Sequence, residues 1–177
     1  MSPYEQLRDQ FWPKGQRPDM WMVIDTSRDR RIYPAVSFSG LQNECLVAGE
    51  LSIPLQRTAP YLVQLELDDR ATIRMIDDGF GQSWGMFIKA DVGIKTLRKH
   101  LRTMLRVQAP GGSYMLFRYW DPRVLRVYLP TCLPDETRRF FGPMDQVWVE
   151  DKPTDSRMLR FADRNGKLEK LQIEIQS

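Results

Sequence analysis

The chain has 177 residues, 42% hydrophobic and 28% charged. Those are the proportions of one ordinary globular domain, and they exclude a disordered or low-complexity chain. A single histidine stands against five Trp, six Tyr and eight Phe, which favours packing and recognition over proton transfer or metal binding, and no cofactor or metal is expected.

The first ten residues lack a basic n-region and an apolar h-region, and no apolar run approaches the ~18 residues that a membrane helix requires. Cys45 and Cys132 have neither C-x-x-C nor Cys/His ligand spacing, so buried free thiols in a reducing compartment are expected. The expectation is a cytoplasmic protein with no membrane insertion.

Residues 1–20 form an N-terminal segment. Trp21-Met-Val-Ile-Asp25 then reads as a buried first strand. Ser27 is expected to cap a helix over 29–38 that Gly40 ends. Strands are predicted at 44–48 and 61–65, with a loop or a broken helical turn carrying Pro54 between them. A helix over 71–78 leads into a strand at 84–88. Residues 94–107 give the clearest amphipathic helix, with Ile94, Leu97, Leu101, Met104 and Leu105 on its apolar stripe. Pro110-Gly111-Gly112 stops it, and 114–119 reads as a fifth strand.

Asp121-Pro122 is a helix start, since Asp accepts from free backbone N–H groups and Pro at the first position sacrifices no hydrogen bond. A second short helix is expected at 135–141 and a sixth strand at 144–150. Residues 151–155 read as a linker, followed by a β-hairpin folded about Asn165-Gly166. Strands alternating with helices predict an α/β domain over 21–150, three layers deep. Its central sheet is expected to be mixed but mostly parallel and flanked by helices, with the C-terminal β-hairpin of 151–177 packed on it. In such a sheet Asp25, Arg118 and Asp121, with Arg123 nearby, would gather at the carboxyl ends of the strands.

Gly81-Gln-Ser83-Trp-Gly85 fits the G-x-S-x-G nucleophile elbow, which would make Ser83 an esterase nucleophile. That elbow needs strand before serine and helix after it, and here the predicted order is helix then strand. His100, the only histidine, lies among Lys and Arg. Arg118, inside an aromatic strand, needs a carboxylate, and Asp25 or Asp121 can supply it. A second use for Arg118 is a contact to a small anionic ligand.

Charge is uneven along the chain. Residues 95–139 hold ten Lys/Arg against three acids, +7, leaving −4 elsewhere. This reads either as solvated helix faces that happen to be basic or as an electropositive face for an acidic partner, with Lys95, Arg98, Arg102, Arg106, Arg123 and Arg126 as candidate partner-binding residues. No nucleic-acid signature accompanies them, and no Walker A or G-x-G-x-x-G sequence is present.

The order of the motifs carries more than any one of them. Val23-Ile-Asp25 with Arg28 to Tyr33, Cys45 to Leu51, Ala59 to Val63, Gly79 to Phe87, Phe117 to Leu125, Leu129 to Cys132 and Phe140 to Pro143 together resemble the type VI secretion effector chaperone (adaptor) family. The resemblance runs from about Trp21 to Glu150 and rests most on 81–87 and 117–125. It implies a non-enzymatic protein that binds a secreted toxic effector and helps load it onto the VgrG spike protein. It implies no catalytic residues. The family's recurrent positions match Asp25, Tyr33, Trp84, Gly85, Arg118, Asp121, Pro122 and Arg123, mostly as builders of the fold. Many relatives continue into a longer C-terminal region than the hairpin seen here.

Overall fold

A computed structural model describes residues 1–152 and 156–175; residues 153–155 of the expected linker lie outside the described residues. The chain opens with α1 (Pro3–Phe11), where Ser2 and Glu5 form a reciprocal capping box. Leu7 and Phe11 are fully buried, and Phe11 meets Trp148 edge-on at 5.1 Å. The N-terminal segment is therefore part of the core, which its sequence did not announce.

Six strands and their intervening helices follow: β1 (Met20–Asp25), α2 (Ile32–Ser37), β2 (Asn43–Cys45), α3 (Ile53–Gln56), β3 (Pro60–Leu65), α4 (Arg70–Gly79), β4 (Gly85–Lys89), α5 (Ile94–Thr103), β5 (Arg106–Gln108) and β6 (Tyr114–Leu116). Then come α6 (Pro122–Tyr128), α7 (Pro134–Phe141), β7 (Gln146–Glu150), β8 (Arg157–Arg164) and β9 (Lys167–Glu174).

The main sheet has seven strands in the order β2-β3-β1-β4-β7-β8-β9. Every pairing in it is antiparallel. The expectation of a mostly parallel sheet is thus overturned. One reason lies in the placement of β1. The helix α4 does carry the chain from β3 to a strand of the same direction, β4, but β1 is inserted between the two and runs against both. Elsewhere a helix joins strands that pair directly and antiparallel, as α3 does for β2 and β3, so alternation of strand and helix fixes neither strand direction nor strand order.

Helices cover both faces. Residues of α1, α2 and α4 pack with Met22, Ile24, Val63 and Trp148 on one side. Residues of α5, α6 and α7 pack with Val23, Met86, Val147 and Phe161 on the other. A strand buried on both faces reads as a continuous apolar run, and all six residues of β1 are buried. The C-terminal hairpin is built into this sheet as its β8 and β9 strands, joined by Asn165 and Gly166 at φ 57° and 86°. Both residues are left-handed, as a two-residue turn matching strand twist requires.

Four further expectations are corrected. The helix predicted over 29–38 shortens to 32–37 because the Ser27 hydroxyl, its intended cap, donates to Asp25 at 2.6 Å instead. The helix predicted to 107 ends at Thr103, and residues 106–108 turn into a strand paired with 114–116. That pair is a separate two-stranded ribbon, so the fifth strand predicted at 114–119 is not in the main sheet. Cys45 and Cys132 are free thiols, half-buried rather than buried. No helix among the described residues is long and apolar enough to cross a membrane.

Candidate functional site

β1 and β7 run the same way, because each is antiparallel to β4 between them. Asp25 and Glu150 close their respective apolar strands and so arrive at the same end of the sheet. Asp25 is 2% exposed. Its Oδ1 accepts the Ser27 N–H at 3.0 Å and the Ser27 hydroxyl at 2.6 Å. Its Oδ2 accepts Trp120 Nε1 at 3.0 Å and an ion pair from Arg118 Nη2. Burial pushes the Asp25 carboxyl upward, but the donors from Ser27, Trp120 and Arg118 outweigh it and hold the group below the usual carboxylate range. The result is a knot tying the segment before α6 to the end of β1.

Asp121 repeats the arrangement locally. It caps α6 through the Arg123 N–H at 2.9 Å and pairs with Arg123 Nη2 at 2.6 Å. Its carboxyl is likewise raised by burial and lowered further by Arg123. Pro122 opens the helix, buried. Of the two carboxylates expected for Arg118, the structure selects Asp25. The Arg118 side chain stays 41% exposed, so solvent screens part of that pair.

Glu150 differs from both aspartates. It accepts the Ser83 backbone N–H at 3.2 Å, and burial drives its carboxyl from 4.5 up to about 7 against the opposing pull of backbone donors and Arg126. Sequence reasoning missed it, although an acid closing the run Val147-Trp-Val carries the same signature as Asp25 after Val23-Ile24.

Ser83 sits in the turn from α4 into β4 at φ 54°, buried against Glu150 at the end of β7. His100 lies toward the start of that strand, its ring against Gly142 and its Nε2 donating to the Phe140 carbonyl at 2.8 Å. The structure does not bring the two together. Trp84 is buried, with the Arg31 guanidinium 5.8 Å from its ring centroid. Gly85 faces the Val23 carbonyl of β1 so closely that a Cβ there would overlap the oxygen. Tyr33 is half-buried, donating to Gln56 Oε1 at 3.2 Å and standing edge-on to Tyr61.

The candidate partner-binding cations fall into two groups. Arg123 and Arg126 belong to the knot region, Arg126 donating to the Asp151 carbonyl. Lys95, Arg98, Arg102 and Arg106 line an open cleft of about 690 Å³ between α5 and the β5–β6 ribbon, together with Lys99, Glu44 and Leu116. Within it Arg98 is spent on structure, pairing with Glu44 at 3.1 Å and donating to the Cys45 carbonyl at 2.8 Å. Lys95, Lys99, Arg102 and Arg106 are exposed and form no salt bridge among the described residues. The ribbon beside them exposes Val107, Tyr114, Met115 and Leu116. That apolar surface was hidden from sequence reading, which placed its residues in a long helix and a sheet strand.

No curated protein and no solved structure matches the chain. One family does, by a match over residues 20–139 that takes in the knot, the cleft and the ribbon. That span exceeds half of the chain, which therefore belongs to the DUF4123 family, described as a domain of unknown function.

Proposed function

We propose that this protein is a non-enzymatic adaptor that binds a type VI secretion effector in the bacterial cytoplasm and helps load it onto the VgrG spike. The setting comes from the motif series that resembles that adaptor family. The observation that supports a binding role is the division of polar groups. The charges at the recurrent motif positions Asp25, Arg118, Asp121 and Arg123 are paired with one another. At α5 and the ribbon, by contrast, unpaired cations stand beside the exposed Val107, Tyr114, Met115 and Leu116. A surface of that kind suits protein recognition, where charge sets encounter rate and partner choice and apolar contacts set lifetime.

The test is capture of partners by the tagged protein from its native bacterium at low and at high salt, read by mass spectrometry. A spike protein or a large toxin should be recovered, and less of it as salt rises. Recovery of neither, in cells expressing the secretion genes, sinks the reading.

A further inference from the structure

We propose that the cleft between α5 and the β5–β6 ribbon seats an extended segment of a partner protein, one bearing carboxylates along one side and aliphatic side chains along the other. This rests on the adaptor reading above and names the chemistry of what that adaptor would hold.

The first wall of the cleft is α5. Lys95, Lys99 and Arg102 stand on one stripe of it, at spacings of four and three residues. Successive charges are thus about 4.5–6 Å apart along the helix axis. Side chains on one side of an extended chain recur about every 6.6 Å. Long, flexible Lys and Arg stems absorb that small mismatch, so alternate carboxylates of an extended segment can meet successive cations. Arg106 adds a fourth cation from the ribbon.

The second wall, the ribbon, sets apolar side chains beside Arg106. Arg106 lies opposite Leu116 in the ribbon register, and Gln108 opposite Tyr114. With side chains alternating along a strand, Leu116 and Tyr114 share the ribbon face that carries Arg106 into the cleft. Leu116 is 59% exposed and Tyr114 70%. Val47 and Leu105 continue the apolar lining at the base. Arg98, fixed to Glu44 and the Cys45 carbonyl, ties α5 to β2 and holds the first wall in place.

Charge complementarity selects the occupant. Four unpaired cations demand an acidic guest, and the aliphatic wall beside them selects among acidic guests. A nucleic-acid backbone would satisfy the cations and leave Leu116 and its neighbours uncovered. An acidic protein segment with alternating aliphatic side chains covers both walls.

The test uses fluorescence polarisation with a labelled peptide that alternates Glu with Val and Leu. The comparison probes are the same peptide with Lys for Glu, the same peptide with Ser for Val and Leu, and an oligothymidine. The full chain, the pair Lys99→Glu/Arg102→Glu, the single change Leu116→Ser and a control pair Lys14→Glu/Arg17→Glu are compared, each checked for native circular dichroism. The control removes the same charge from an exposed stretch elsewhere.

The cleft pair should weaken the Glu–Val/Leu peptide by about tenfold or more at low salt, and the control pair by no more than about threefold. Leu116→Ser should weaken that peptide and leave its Ser version unchanged. Equal losses from both charge pairs overturn the proposal, as does oligothymidine binding more tightly than the peptide. If Lys99→Glu/Arg102→Glu still captures an effector or spike from cells, the adaptor reading stands and the cleft assignment falls. If the peptide binds as stated but the chain captures neither protein, the cleft assignment stands and the adaptor reading falls.

Discussion

Arg118 and Arg123 each end on a buried carboxylate, Asp25 and Asp121, whereas Lys95, Lys99, Arg102 and Arg106 end in an open cleft with no acidic partner among the described residues. All six belong to the same basic stretch of sequence. In the knot the cations neutralise acids that burial would otherwise penalise, and they thereby fix the entry to α6. Along α5 they neutralise nothing, stay hydrated, and cost the fold little. Residue type does not separate the two uses. A buried acid within reach does: Asp121 lies two residues from Arg123, whereas Asp25 reaches Arg118 only through the tertiary packing.

The comparison is broken first at the sheet beneath the knot. Gly85→Ala places a Cβ on the Val23 carbonyl of the neighbouring strand, and neither backbone can withdraw without breaking the β1–β4 ladder. Urea unfolding should show a loss of about 3 kcal/mol or more, and a loss below about 1 kcal/mol would show that the strands can part there.

Asp25→Ala should come next. It leaves Trp120 Nε1 without its acceptor and the Arg118 charge without its counter-ion. With the exposure of Arg118 discounted, unfolding should be easier by about 2–3 kcal/mol. An effect as small as that of a surface change would reduce the knot to an incidental contact.

Glu150 sharpens the contrast through pH. Its folded carboxyl titrates at about 7 and its ordinary value is 4.5. Between these values the folded state holds a proton that the unfolded state has released, so stability falls as pH rises through this window and levels off above it. Glu150→Gln should flatten that decline in urea midpoints measured across the same pH values. Asp25 and Asp121 act in the opposite sense. Their depressed carboxyls stabilise the fold at neutral pH, and that stability is lost only as pH falls below the usual carboxylate range. An unchanged slope in the Gln variant would mean that Glu150 is not the group titrating.

The smallest effect on stability belongs to the cleft. Lys99→Glu/Arg102→Glu removes no ion pair and should leave unfolding within about 0.5 kcal/mol of the parent. Partner capture should nonetheless decline. A large destabilisation would show that these cations are structural after all, and the distinction between the two regions would collapse.

Much of the fold could be read from local chemistry. The hairpin at Asn165-Gly166, the Asp121-Pro122 helix start, the helix before Gly79 and the buried run ending in Asp25 each rest on neighbours in sequence, and each is present. The need of Arg118 for an acid was legible too, but its choice of Asp25 over Asp121 was not, because the chosen acid lies 93 residues away. Of the cleft, the cations of α5 were legible as one helix face. The ribbon was not: Arg106 to Gln108 and Tyr114 to Leu116 find partners only in each other, and helical periodicity carried the prediction past Thr103.

The sequence by itself determined the turns, caps and apolar runs, since those depend on backbone preferences and side-chain spacing within a few residues. Tertiary structure alone decided that β1 separates β3 from β4 and runs against both, and that Glu150 shares an end with Asp25. It also decided that Arg118 pairs with Asp25. Strand order and the Arg118–Asp25 pair are set by contacts between residues far apart in the chain, where local propensity has no say.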